Sequence, residues 1–251
     1  MKNNFKNMLF NSPGYIDKLF LNDKDLELFK FYINKQWFEK IHSHDKAVAE
    51  FINKNNLDIK NYHKVSCKIN HSKIWKKTSR VLPLDFLKNF YKTNLFKELN
   101  DLFGNFEISD EENFGFGNIY WRLVRPNENS DIGPLHRDSW FWELNKSFPR
   151  PEYSFERIKV WIAIETEPNK SGLLVEENSH KRKDILWKGE FRDGIKKPIL
   201  LEENKKFNMK LVPTKPGDLI IFNDDLLHGG ALNKSKNTRV SVEFTLITRV
   251  D

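Results

Sequence analysis

Cysteine is nearly missing from this chain: 251 residues carry only Cys67, so no disulfide can form within it. A reducing compartment follows, and a cytoplasmic location is the expectation. Long apolar runs are absent too. Nothing in the sequence approaches the length needed to span a bilayer, and Met1-Lys2-Asn3-Asn4-Phe5 leads into no apolar core, so neither a membrane anchor nor a signal peptide is expected. Arginine-rich runs and zinc-finger spacings are likewise lacking. The net charge of +7 would by itself invite an anionic partner. Lysine is scattered among Asn, Ile and Phe along the whole chain, which is compositional bias rather than a basic patch, and no nucleic-acid partner is expected.

What the chain does have is aromatic bulk. Its 21 Phe and 7 Trp can furnish a large core or a walled pocket, and 39% hydrophobic with 31% charged residues mark a folded chain rather than a disordered one. The length suits a single domain over 1–251. Residues 1–105 read as mostly helical support. Asn22-Asp23 opens an amphipathic helix over 24–41, with Asp23 as its cap; a second runs from Asp45 to Ile52, and a third from Asp85 to Leu102 stops at Gly104. Residues 57–83 are polar and ambiguous. Cys67 falls in an alternating segment that reads as strand, and His42 and His44 read as a solvated junction between helices.

From Phe106 the period changes to two. Strands are expected over 118–124, 157–164, 172–176, 210–212, 219–222 and 239–248, the second of them buried on both faces. Short strands with Gly and Pro turns after a helical half give the expected fold class: mainly β with a helical flank, a double-stranded β-helix (jelly-roll, cupin-like barrel) over 106–251 buttressed by the N-terminal helices. Residues 181–208 are long, charged and without clear strands, as a lid or specificity insert would be. On the last strand Val240, Val242, Phe244 and Leu246 alternate with Arg239, Ser241, Glu243 and Thr245.

The chemistry-bearing stretch is Gly133-Pro134-Leu135-His136-Arg137-Asp138, where strand spacing would set His136 and Asp138 on one face. Far downstream come His228, trailed by Gly229-Gly230, and then Arg239-Val240-Ser241. Two imidazoles and a carboxylate can hold three adjacent positions of an octahedral iron(II) and leave three open. An arginine one strand on can clamp a dicarboxylate with two parallel hydrogen bonds. A lone His-x-Asp carries little weight; the four elements in this order point to a site. Arg122, Arg125 and Arg137 near the first ligand add the expectation of an anionic small molecule as substrate.

These motifs resemble the phytanoyl-CoA dioxygenase family of iron(II)/2-oxoglutarate-dependent oxygenases over about residues 117–249. Val160-Trp161-Ile162-Ala163-Ile164, Ser171-Gly172-Leu173-Leu174-Val175, Asn178-Ser179-His180-Lys181, Gly217-Asp218-Leu219-Ile220-Ile221-Phe222, Leu227-His228-Gly229 and Asn233-Lys234-Ser235 carry the likeness beyond the ligands. Glu177-Asn178 departs from the Pro-Gly more usual there. The resemblance implies that His136, Asp138 and His228 bind Fe(II), and that Arg239, assisted by Ser241, pairs with 2-oxoglutarate. Tyr120 and Trp161 are placed along the co-substrate pocket, and His180 is left structural. It further implies a dioxygenase that uses O2 and 2-oxoglutarate to hydroxylate a small molecule, releasing succinate and CO2. An intact Asp138 argues against halogenation. The alternatives weighed beside it are a cupin-like metal-binding module without turnover and a protein hydroxylase.

Overall fold

A computed structural model of the chain describes residues 2–146, 148–192 and 195–250. Its elements run α1 (Lys2–Phe10), β1 (Tyr15–Phe20), α2 (Asp23–His44), α3 (Lys46–Lys54), α4 (His71–Ile74), α5 (Leu84–Phe90) and α6 (Asn94–Phe103). There follow β2 (Phe106–Ile108), β3 (Tyr120–Val124), α7 (Asp138–Leu144), β4 (Phe155–Glu165), β5 (Leu173–Val175), β6 (Trp187–Arg192) and β7 (Ile195–Leu200). The chain ends in β8 (Lys210–Leu211), β9 (Asp218–Asn223), β10 (His228–Gly230) and β11 (Arg239–Arg249). The structure is mainly β with helices.

The long helix α2 forms where the apolar stripe says it should. Phe29, Ile33, Trp37 and Ile41 recur every fourth residue and are all buried. Its cap is Asn22 rather than Asp23: the Asn22 side chain accepts from the Asp25 amide at 2.8 Å. Asp25 is buried, and its carboxylate accepts the Leu95 amide at 3.0 Å, tying the start of α6 to α2. The helix expected over 85–102 is two, α5 and α6, because Thr93 caps a fresh start by accepting from the Phe96 amide at 3.1 Å. His42 and His44 lie in the last turn of α2, and Cys67 sits exposed in a 3-10 turn rather than a strand.

The main sheet is antiparallel in the order β1-β9-β4-β11-β2, with β3 pairing the first half of the same β11 edge that β2 pairs further on. β4 is therefore central, as its apolar run predicts. β1 joins this sheet from within the half read as helical support. One face of the sheet offers Val160, Ile162, Val242, Phe244 and Leu246 to the helices, forming a single buried cluster with Phe29, Trp37, Phe86 and Phe90. Gln36 bridges helix and sheet, donating to the Val81 carbonyl at 2.7 Å and accepting from the Trp121 indole at 2.7 Å. The other face looks toward a small sheet, β10-β5-β8, and Trp161, Ala163, Ile220 and Phe222 pack there against Leu173 and Val175.

Phe244 anchors the first cluster; it is fully buried, and its ring meets Phe90 edge-on at 5.6 Å. Phe244→Ala leaves a ring-sized void there, and should cost about 3–5 kcal/mol. Urea unfolding checks this as a lowered midpoint with an unchanged slope.

The insert at 181–208 is not strandless: β6 and β7 form a hairpin across it, with residues 193–194 outside the described residues. Trp187 of the hairpin stacks on Trp140 of α7, ring centroids 5.0 Å apart and planes 10° off parallel. The charge-rich sequence masked the hairpin because β6 keeps only Trp187 and Gly189 off the open surface, while Phe191 stands 75% exposed.

Candidate metal centre

His136 and His228 meet on neighbouring extended segments. Each backbone amide donates to the other's carbonyl, at 2.9 and 3.0 Å, in a reciprocal antiparallel bridge that extends the small sheet beyond β10. The close approach needs Gly229, where a Cβ would stand 2.8 Å from a Leu135 methyl. The two imidazole centroids lie 4.4 Å apart. Phe141 meets the His136 ring at 5.3 Å and Phe222 meets the His228 ring at 4.6 Å.

Asp138 is reached differently from the expectation. The extended segment ends just after the isolated bridge at His136, and Asp138 is the first residue of α7 with Arg137 at its cap position, so helix geometry sets the carboxylate direction. The helix start favours a negative group there. Asp138 Oδ1 lies 3.7 Å from His136 Nε2 and Oδ2 lies 3.5 Å from His228 Nε2. The ligand atoms of all three residues fall within 4.8 Å of one another, the only such group of three among the described residues.

The hydrogen bonds decide which nitrogen faces the centre. His136 Nδ1 stands 2.8 Å from the Pro134 carbonyl and His228 Nδ1 stands 2.9 Å from the Leu226 carbonyl. A carbonyl only accepts, so each Nδ1 carries the proton and each Nε2 turns a lone pair to the cluster. Burial and the neighbouring His136 lower the His228 pKa to about 4, which keeps its ring neutral at ordinary pH. Burial opposes ionisation of Asp138, but Lys159, His228 and His136 overcome it and hold the carboxyl well below the usual carboxylate range. Two imidazoles that present Nε2 and an ionised carboxylate, with Asp138 Oδ2 buried and accepting no hydrogen bond among the described residues, make a donor set fitted to non-haem iron(II).

The same sheet face carries the rest. On β11, Arg239, Ser241, Glu243 and Thr245 alternate inward; Ser241 lies between Arg122 of β3 and Ala163 of β4, and Glu243 between Tyr120 and Trp161. Arg239 is buried, donates from Nη1 to the Gly172 carbonyl at 2.6 Å, and leaves Nε without a partner among the described residues. Burial, then Arg122, lowers its pKa to about 10, still well above neutrality. The buried Ser241 hydroxyl is also unpartnered among the described residues. Tyr120 donates its hydroxyl to Glu112 at 3.0 Å, and Trp161 belongs to the apolar cluster between the sheets.

Three arginines expected to attract an anion are engaged elsewhere. Arg122 pairs with Glu243 at 2.5 Å, Arg125 grips Asp131 through Nε at 2.9 Å and Nη2 at 2.7 Å, and Arg137 donates to the Ser179 and Arg182 carbonyls. His180 stands outside the cluster, its ring against Gly14, whose φ is +99° and where a Cβ would meet that ring at 2.5 Å. Asn178, in place of the usual glycine, holds the left-handed conformation at φ +62°, which asparagine tolerates, so the turn survives the departure. Sequence reading missed Lys159, whose Nζ lies 3.7 Å from Asp138 Oδ2 and donates to Thr245 Oγ1 at 3.0 Å. Its alternation with Trp161 on β4 was the available signal.

A family model described as phytanoyl-CoA dioxygenase matches residues 33–241. The chain belongs to that family. No curated protein matches it in sequence. Among solved structures it is similar to the non-heme monooxygenase ThoJ in its apo form (TM-score 0.57, 10% identity, 95% of this chain and 75% of that one). It is also similar to SnoK, a non-heme alpha ketoglutarate dependent carbocyclase from nogalamycin biosynthesis (TM-score 0.56, 12% identity, 99% and 84%). A third is the epimerase SnoN in complex with Fe3+, alpha ketoglutarate and nogalamycin RO (TM-score 0.53, 12% identity, 99% and 83%). At these identities the likeness is one of fold. The family membership and the His136, Asp138 and His228 group together make the chain an oxygenase-type member with an iron-suited site. Among the described residues no helix is long and apolar enough to cross a membrane.

Proposed function

We propose that the protein is an Fe(II)/2-oxoglutarate-dependent dioxygenase that hydroxylates a small molecule, releasing succinate and CO2, with its two facing sheets acting as a jelly roll. The observation that carries this reading is the pairing of a two-imidazole, one-carboxylate cluster with a buried, under-used arginine on the same face of the sheet. His136, Asp138 and His228 would hold the iron, and Arg239 with Ser241 would take the far carboxylate of 2-oxoglutarate. Bound there, iron and 2-oxoglutarate supply the oxidising power for a substrate C–H bond.

The chain's own residues do the rest. The Pro134 and Leu226 carbonyls lock both imidazoles in the tautomer that presents Nε2. Arg239 keeps one nitrogen on Gly172 and offers Nε, while Ser241 offers a hydroxyl one step along β11. Phe141 and Phe222 set apolar rings against the two imidazoles, and Trp161 packs between the sheets beside them. Tyr120 is buried with its hydroxyl bonded to Glu112, so it would line the space with its ring alone.

Purified protein given Fe(II), ascorbate, O2 and 2-oxoglutarate should form succinate slowly without substrate, and faster once a substrate is found. Failure to bind either Fe(II) or 2-oxoglutarate would overturn the reading. Oxidative outcomes other than hydroxylation are read from the products of the same assay, since carbocyclase and epimerase structures share this fold.

A further inference from the structure

A charged side chain is costly to bury unpaired, and Lys159 is only 8% exposed in the middle of the central strand β4. Its Nζ has one neutral acceptor, Thr245 Oγ1 at 3.0 Å, and one close anion, Asp138 Oδ2 at 3.7 Å. Thr245 in turn donates to Glu111 Oε1 at 3.1 Å, which leaves its own oxygen turned to the lysine. Arg157, two residues along the same face of β4, is already committed to Asp224 at 2.6 Å, and Arg122 to Glu243 at 2.5 Å. Among these inward cations Lys159 is the one that faces the metal cluster.

We propose that Lys159 is the resident counter-charge of Asp138: it balances the carboxylate while the cluster is without metal, and the site's overall charge once metal and co-substrate are bound. This rests on the iron and 2-oxoglutarate reading above. Two opposite consequences follow from one positive charge beside the cluster. It competes with a divalent cation for Asp138 and so weakens metal binding. It also attracts a dianionic co-substrate and so strengthens 2-oxoglutarate binding.

Lys159→Met keeps an unbranched chain one atom shorter and removes the charge; Lys159→Arg keeps the charge. Co(II) titration without 2-oxoglutarate, followed by 2-oxoglutarate titration of the Co(II) protein, reads both affinities without turnover. In Lys159→Met the Co(II) Kd should fall at least threefold and the 2-oxoglutarate Kd rise at least threefold. The rise in Tm on adding Co(II) should be larger than in wild type, because the unpaired Asp138 is then relieved by metal alone. Lys159→Arg should stay near wild type in both titrations.

A packing role would weaken both ligands together or neither, and either result overturns the proposal. If Lys159→Met does not fold, Lys159→Arg decides: a shift of more than threefold in either Kd, with the charge retained, overturns it, and wild-type values uphold it. Wild type that binds no Co(II) at all fails the iron reading itself, a distinct outcome.

Discussion

Asp138→Ala should remove metal binding, with Fe(II) or Co(II) affinity falling by more than about 100-fold, the upper end of what loss of a mere supporting residue costs. The two imidazoles that remain are held by backbone carbonyls and keep their places, so the loss is of a ligand and not of the site's shape. The variant has a second expected effect, on the metal-free protein. Lys159 sits 3.7 Å from Asp138 Oδ2 in a buried setting, and removing the acid takes away its strongest anionic neighbour and leaves only Glu111, Glu243 and Asp224 to balance the charge. Breaking one side of a fully isolated buried pair costs about 3–5 kcal/mol, and the remaining carboxylates hold the cost here below that. Urea unfolding without metal should therefore show Asp138→Ala well below wild type, and Asp138→Ala with Lys159→Met should recover part of the difference. Unchanged metal affinity in a folded Asp138→Ala protein would remove the carboxylate from the donor set.

The parts of this protein that were legible in the sequence are those where one periodic signal decides one element. The stripe Phe29, Ile33, Trp37 and Ile41 gave α2, and the alternation of Val240, Val242, Phe244 and Leu246 with polar residues gave β11. The convergence of His136, Asp138 and His228 was legible from residue type and order. Its local geometry was not, because Asp138 lies where an extended segment turns into α7, and spacing alone cannot place that change. The hairpin of β6 and β7 was hidden because Gly189 thins the apolar face of β6 to Trp187 and Phe191, and the charges of Lys188, Glu190 and Arg192 dominate the segment. Short β1 was lost for a related reason: its partner β9 lies some two hundred residues away, and long-range pairing leaves no local mark. The arginines illustrate a third limit. Arg122, Arg125 and Arg137 read as available charge, yet Glu243, Asp131 and two backbone carbonyls hold them, and partners of this kind appear only with the fold.

Arg239→Ala should weaken 2-oxoglutarate about 100-fold while leaving Co(II) affinity close to wild type. The magnitude takes the lower end of the bonds at stake: a guanidinium can give a carboxylate two charge-assisted hydrogen bonds, each worth at least about 1.5 kcal/mol, and about 3 kcal/mol is a little over 100-fold. Selectivity for the co-substrate follows from position, since Arg239 lies on β11 with its Nη1 bonded to Gly172 and belongs to no part of the cluster of His136, Asp138 and His228. In succinate formation the loss should appear as a raised KM for 2-oxoglutarate, with kcat largely regained at saturation. Arg239→Lys separates charge from shape. It keeps the positive end but loses the planar fork and cannot hold Gly172 and a carboxylate in the same arrangement, so it should recover only part of the affinity. A 2-oxoglutarate Kd within threefold of wild type in folded Arg239→Ala protein would remove this arginine from the co-substrate site, and the unpartnered Ser241 hydroxyl beside it would then need a different ligand.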